Sequence, residues 1–284
     1  MTIEDLDDKV VIKLDDGAAA LEVLYHGATI TSWKVNGKEK LFLSDKAVLD
    51  GSKAVRGGIP LVFPIFGKPT TAATEKLPQH GFARLSRWEF LGQTSSSPVA
   101  IQFGLGPENV PQTLRDAWPV DFTLIYTITL GEDYLTTSMS IENTSNSAFD
   151  CQFLFHTYLR VPDIATVSVR GLDGVDFTDK VTGSSYHSNA ADTTIAGEVD
   201  RMYSAVTKTV SVKTGTTPLF EVNRVNLPDV VLWNPWSEVA RNMVDFAPED
   251  GYKQMLCIEP GYVAKWITLN PEQKFDATQT IRAL

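Results

Sequence analysis

Short runs rich in Val, Ile, Thr, Phe and Tyr recur along the whole chain, and they limit the possible folds more than any other feature. VVIKL, AALEVLYHGATITSWKV, EKLFLS, WEFLGQ, VAIQFGL, FTLIYTITLG, LTTSMSIENTS, CQFLFHTYLRV, TVSVRGL, KTVSVKT, DVVLWNP, KQMLCIEP and KWITLN make thirteen such runs. Gly, Asn, Asp, Ser and Pro separate them, as expected of strands joined by turns. None sustains an apolar stripe of period 3.6. An all-β fold is therefore predicted, most simply two large antiparallel sheets packed face to face. Helical turns are expected only in Pro107–Trp118 and at the start of LSDKAVLDGS. The polar stretches 95–97 and 184–197 read as loops. No low-complexity linker divides the chain, and one domain spanning residues 1–284 is the expectation.

The bulk properties remove several classes of function. A net charge of −10 over 284 residues argues against a surface built for phosphate backbones, so no nucleic-acid partner is expected. No stretch approaches the roughly 18 apolar residues of a membrane span. The acidic start, MTIEDLDDKVVIKL, lacks the basic and apolar regions of a secretory signal, and a cytoplasmic, monomeric protein is expected. The two cysteines, Cys151 and Cys257, lie inside apolar runs and read as buried, reduced thiols.

Candidate chemistry then comes from a few polar residues in telling places. Arg56, in GSKAVRGGIPLVFPIFG, stands between a flexible approach and an apolar run, with Gly57 and Gly58 admitting unusual backbone angles and close approach of a ligand. Alone, it reads first as a solvated loop arginine. In PQHGFAR, Gln79, His80 and Arg84 fall within six residues of one another around the turn glycine Gly81. Two guanidinium forks can hold one phosphate, so Arg84 is a natural partner for Arg56. No GxxxxGK[ST] loop is present, so any phosphate is held by side chains.

Strand alternation places Gln152, Leu154, His156, Tyr158 and Arg160 on one face, either lining a wet pocket or facing solvent. Met255, Cys257 and Glu259 share a face ahead of Pro260, which puts the carboxylate among groups that prefer burial and gives it the setting of a general base or of a salt-bridged glutamate. Asp200, in GEVDRMY, precedes a run of strand character and has the features of an exposed acid. Trp233 and Trp236 are candidates for walls of a sugar site or for core plugs. The four histidines show no metal-binding spacing, and no GxSxG or CxxC motif occurs.

Taken together, GSKAVRGGIPLVFPIFGK, LPQHGFAR, FLFHTYLR, GEVDRMY, VVLWNPW and CIEPGYV resemble the hexose-6-phosphate mutarotases (glucose-6-phosphate 1-epimerases) of the galactose-mutarotase-like superfamily, fungal cytosolic type. The resemblance runs in order from about Leu21 to Leu269. It implies a large β-supersandwich that interconverts the anomers of a sugar phosphate without a cofactor or metal. His156 would be the general acid and Glu259 the general base, with Arg56, Gln79, His80, Arg84 and Asp200 contacting substrate. Leu159 and Tyr262 depart from residues common among relatives, which bears on pocket shape rather than chemistry. The competing expectations are an aldose 1-epimerase for unphosphorylated sugars, a carbohydrate-binding β-sandwich, and a glycoside hydrolase using Asp200 and Glu259.

Overall fold

Along Phe122–Leu130 every second side chain is buried, so Phe122, Leu124, Tyr126, Ile128 and Leu130 enter the core while the residues between them stay half-exposed. That period-two pattern is what a sheet with one buried face requires, and Tyr134–Asn143 repeats it. The computed structural model describes residues 1–284, with the side chain of Asp16 outside the description. Its strands form three antiparallel sheets.

The nine-stranded sheet runs in space as Asp192–Thr194, Val167–Arg170, Val210–Thr214, Thr217–Val225, Lys274–Ala283, Tyr134–Asn143, Phe122–Leu130, Val99–Leu105 and Glu89–Ser96. The eight-stranded sheet runs as Ser184–His187, Asp176–Asp179, Val199–Tyr203, Asp229–Asn234, Met255–Leu269, Phe149–Phe155 and Leu61–Val62, with Tyr158–Arg160 also paired to Met255–Leu269. These are the two large sheets that the sequence predicts. A third, five-stranded meander (Thr2–Asp5, Lys9–Lys13, Ala19–Leu24, Ile30–Val35, Lys38–Glu39) joins the same core through residues such as Ile12, Leu21 and Trp33.

Several local expectations need correction, each for a physical reason. The stretch 184–197 holds two strands, Ser184–His187 and Asp192–Thr194, rather than a loop. Both are edge strands, and the first is exposed throughout, so neither needs apolar residues. Ser95 and Ser96 end a strand, and Asp200 lies inside Val199–Tyr203 rather than before it. Lys274–Ala283 sits in the interior of the nine-stranded sheet despite its polar composition. There the buried Gln279 accepts from Thr157 Oγ1 at 3.0 Å and donates to Thr137 Oγ1 at 3.3 Å.

The helix Gln112–Ala117 forms where expected. The LSDKAVLDGS segment forms turns instead, because Ser44 Oγ accepts from Lys46 N and Ala247 N and donates to Asp245 O, tying the segment to a distant loop. A further helix, Trp236–Asn242, follows the WNPW turn.

The eight-stranded sheet is buried on both faces where the site lies, which is why its central strands read as near-continuous apolar runs. Phe153, Phe155, Val230, Leu232, Leu256 and Ile258 point into the main core. The alternate residues Leu154, Val231, Met255 and Cys257 belong to two smaller clusters on the other face. His156, Trp233 and Glu259 follow that second alternation.

Candidate active site

One cavity of about 640 Å³ on this second face is lined by all seven residues singled out from sequence: Arg56, Gln79, His80, Arg84, His156, Asp200 and Glu259. Its size falls within the usual range for small-molecule sites. Phe66, Met202, Val231, Trp233 and Met243 supply apolar wall, and Lys68 and Lys180 add charge, so four cations face two carboxylates.

His156 and Glu259 lie at the floor. The Phe149–Phe155 ladder ends just before His156, whose N–H donates to Pro60 O at 2.9 Å, and pairing resumes at Tyr158. The expectation of a solvent-facing strand fails here, since His156 is 8% and Tyr158 1% exposed. Gln152 and Arg160, on the same nominal face, are taken up elsewhere. Gln152 bonds to Phe66 N and Val263 O, and Arg160 Nε donates to Leu41 O.

Glu259 is 1% exposed. The strand that carries it runs on through Pro260 to Leu269 instead of ending there. Extra residues between Tyr262 and Ile267 bulge out of register with Cys151 and Phe153, and buried Asp229 accepts from Val263 N and Ala264 N, both at 2.8 Å. That carboxylate satisfies backbone donors the ladder leaves unpaired.

His156 Nδ1 lies 3.5 Å from Glu259 Oε1, while His156 Nδ1 and Glu259 Oε2 make no hydrogen bond among the described residues. Burial, then the neighbouring His80, Arg84 and Arg56, pushes the His156 pKa well below the ordinary value. A desolvated imidazole beside cations resists a further positive charge. Burial, then Asp200, holds Glu259 well above the carboxylate range, with Lys180 and Arg84 opposing. Both shifts favour the uncharged forms of the two side chains.

The cations differ in their commitments. Arg56 Nε donates to Asp245 at 3.2 Å and Nη1 donates to Tyr158 Oη at 3.1 Å. Burial opposes its charge, but Tyr158 and Asp245 outweigh that and raise its pKa. Arg84 has no carboxylate partner among the described residues. Its Nη2 donates to Gln79 O at 2.9 Å, Nε is buried without an acceptor, and burial pulls its pKa down to about 10, still cationic at neutral pH. Lys180 lies 3.6 Å from Asp200 and 3.9 Å above the Phe66 ring, while burial raises the Asp200 pKa against the pull of Lys180.

The glycines beside these arginines admit protein rather than ligand. A Cβ on Gly58 would meet Ile30 O at 2.0 Å, one on Gly57 would meet Phe42 O at 2.5 Å, and one on Gly81 would meet Phe63 O at 2.1 Å. His80 itself adopts φ 68°, a costly conformation for a side-chain-bearing residue. It accepts at Nδ1 from Gly67 N–H at 3.2 Å, and burial, with Arg84, Lys180 and Arg56, drives its pKa down to about 2. A neutral ring is thus fixed with Nε2 toward Gln79, 3.3 Å away.

Nothing in the sequence points to Asp245, and alternation puts Tyr158 on the His156 face without giving it a role. The Tyr158 ring stacks on His156 with centroids 4.7 Å apart and planes 10° from parallel, and Trp233 packs edge-on to both. Trp236 packs at a tilt against Tyr252 and does not line the cavity, so one of the two tryptophans walls it. Spacing gave no metal pattern, yet folding brings donor atoms of His156, Cys257 and Glu259 within 4.8 Å of one another.

The aldose 1-epimerase family profile matches residues 10–282. A protein of Cenchrus ciliaris named "Putative glucose-6-phosphate 1-epimerase" is 36% identical over 94% of this chain and 82% of its own length. A protein of the same name from Escherichia coli K12 is 31% identical over 98% of this chain and 91% of its own. The crystal structure of "a putative mutarotase (YeaD)" from Salmonella typhimurium superposes with a TM-score of 0.84 at 30% identity, covering 99% of this chain and 92% of that one. The profile match over residues 10–282, with relatives at 31–36% identity covered over most of their length, places the chain in the aldose 1-epimerase family of isomerases.

Proposed function

We propose that the protein, acting as one domain, interconverts the α and β anomers of glucose 6-phosphate. The observation that carries this reading is the surplus of cations, Arg84 above all, in the cavity whose floor holds His156 and Glu259. An unphosphorylated sugar would leave an unpaired buried guanidinium uncompensated, whereas a phosphate dianion pairs with it. The test is anomer exchange by NMR on glucose 6-phosphate and on glucose. Preference for glucose, or hydrolysis of a glycoside, would reject it.

Ring opening requires one group to take the anomeric hydroxyl proton while another donates to the ring oxygen. The pair holds one proton for this purpose. Phosphate bound at Arg84 and Arg56 offsets the cations that lower the His156 pKa, so imidazolium and carboxylate become accessible together in the complex. Glu259 then accepts from the anomeric hydroxyl and His156 donates to the ring oxygen. Rotation about C1–C2 and reclosure, with the two roles exchanged, gives the other anomer. Each such transfer is typically worth about 10²–10⁴-fold.

Two predictions concern the surroundings of the pair. In kcat/KM against pH, the alkaline limb reports loss of the Glu259 proton and lies well above the ordinary carboxylate range. Asp200→Asn removes a charge that raises the Glu259 pKa and should move this limb to lower pH. Lys180→Met removes one that lowers it and should move the limb up. Shifts in the same direction would contradict the assignment.

Tyr158→Phe removes an acceptor from Arg56 and keeps the stack on His156. KM for glucose 6-phosphate should rise about fivefold with kcat preserved, the effect of one hydrogen bond worth about 1 kcal/mol. Tyr158→Leu should lower kcat as well, because the imidazole loses the ring that orients it. Steady-state kinetics on both variants separates the two effects.

A further inference from the structure

The acid/base pair has a third neighbour that the proposed reaction does not use. Cys257 lies two residues before Glu259 on the same face of the Met255–Leu269 strand, and its Cα pairs across the ladder with those of Tyr158 and Trp233. Its thiol is free and fully buried. One donor atom each from His156, Cys257 and Glu259 lies within 4.8 Å of the other two, and the His156–Glu259 separation is 3.5 Å.

From these contacts the geometry points to a binding site for zinc, or another thiophilic divalent cation, formed by His156 Nδ1, Cys257 Sγ and Glu259. Four observations support it. The donor set of imidazole, thiolate and carboxylate is one that zinc accepts and that magnesium or calcium does not favour. Zinc at about 2.0–2.3 Å from each donor needs the donors roughly 3.3–3.7 Å apart, so the His156–Glu259 spacing already fits and the thiol, within 4.8 Å of both, need close by no more than about 1 Å.

His156 Nδ1 and Glu259 Oε2 are buried without hydrogen-bond partners among the described residues, so lone pairs are available for a ligand at no cost in existing bonds. Thiolate, carboxylate and neutral imidazole also balance the two charges of the ion exactly where Arg56, Arg84 and Lys180 would repel an uncompensated cation. The thiol proton leaves to bulk water, as does any proton on Glu259. His156 and Glu259 line the cavity, so the ion enters from it and keeps its fourth position open toward it.

The consequence for turnover rests on the acid/base reading of His156 and Glu259, whereas the metal site itself does not. Zinc occupies the lone pairs that proton transfer needs, so it should inhibit anomer exchange reversibly, with activity restored by a chelator. Cys257→Ala should lower the apparent zinc affinity by more than the about 10–100-fold that loss of an outer-shell partner costs. Cys151→Ser, which alters the other buried thiol, should leave it unchanged.

Titration of the purified protein with Co²⁺ supplies a readout independent of turnover. Wild type and Cys151→Ser should develop a thiolate-to-cobalt charge-transfer band at one equivalent, and Cys257→Ala should not. Absence of the band from wild type, or the same band in wild type and Cys257→Ala, would overturn the site. A wild-type band with anomer exchange uninhibited at saturating zinc would refute the acid/base reading and leave the metal site standing.

Discussion

Glu259→Gln should lower kcat for glucose 6-phosphate anomer exchange by about 10³-fold, with KM little changed and the fold intact. The glutamine amide fills the same volume but cannot take the anomeric proton, so the loss falls on the chemical step. Thermal stability should not drop. The native carboxylate is 1% exposed, and one of its oxygens lacks a hydrogen-bond partner among the described residues, so burying it opposes folding. Glutamine has the same volume and is likewise a buried polar group, so that cost stays about the same and the melting temperature should lie near that of wild type. Rapid-quench or NMR exchange kinetics, together with a thermal melt, would check both halves. Turnover near wild type would remove Glu259 from the mechanism.

Arg84→Met should raise KM for glucose 6-phosphate by about 10–100-fold, the cost of losing charge-assisted hydrogen bonds worth roughly 1.5–3 kcal/mol. The same substitution should barely change kinetics on glucose, which has no phosphate to lose. Arg56→Met should have the smaller effect on KM, because Asp245 and Tyr158 already claim two of the Arg56 nitrogens. Arg84, with no carboxylate partner among the described residues and a buried Nε without an acceptor, keeps its charge for a ligand. Equal losses on both sugars would show that Arg84 shapes the cavity without reading phosphate. Equal effects of the two arginine variants would mean that the ion pair with Asp245 opens on binding.

Much of this arrangement is legible in the chain itself, and the illegible parts share a cause. Runs such as FTLIYTITL identify themselves because one face is buried, and burial imposes period two. Lys274–Ala283 escapes the same reasoning. Its buried Gln279 is stabilised by Thr137 and Thr157 from distant strands, and a polar residue satisfied that way leaves no apolar signature. The edge strands near residues 184–194 are missed for other reasons: Ser184–His187 is exposed throughout, and Asp192–Thr194 is too short to show alternation and buries only a threonine.

The site divides along similar lines. His156 and Glu259 stand out as polar residues interrupting apolar strands, and Arg56 and Arg84 as cations beside glycines. Asp245 stands in a loop with nothing around it to suggest a partner 189 positions earlier, and only tertiary packing through Ser44 brings it to Arg56. Alternation puts Tyr158 on the His156 face, but only packing shows its ring stacked on the imidazole.

The sequence by itself determined the sheet architecture, the identity of the chemically able side chains and their order along the chain, because local alternation and residue type are local properties. The tertiary structure alone decided the burial and mutual distance of His156 and Glu259, which cation lacks a carboxylate partner, and the meeting of His156, Cys257 and Glu259. Those depend on desolvation and on distances between residues far apart in the chain, and such quantities exist only once the sheets have packed.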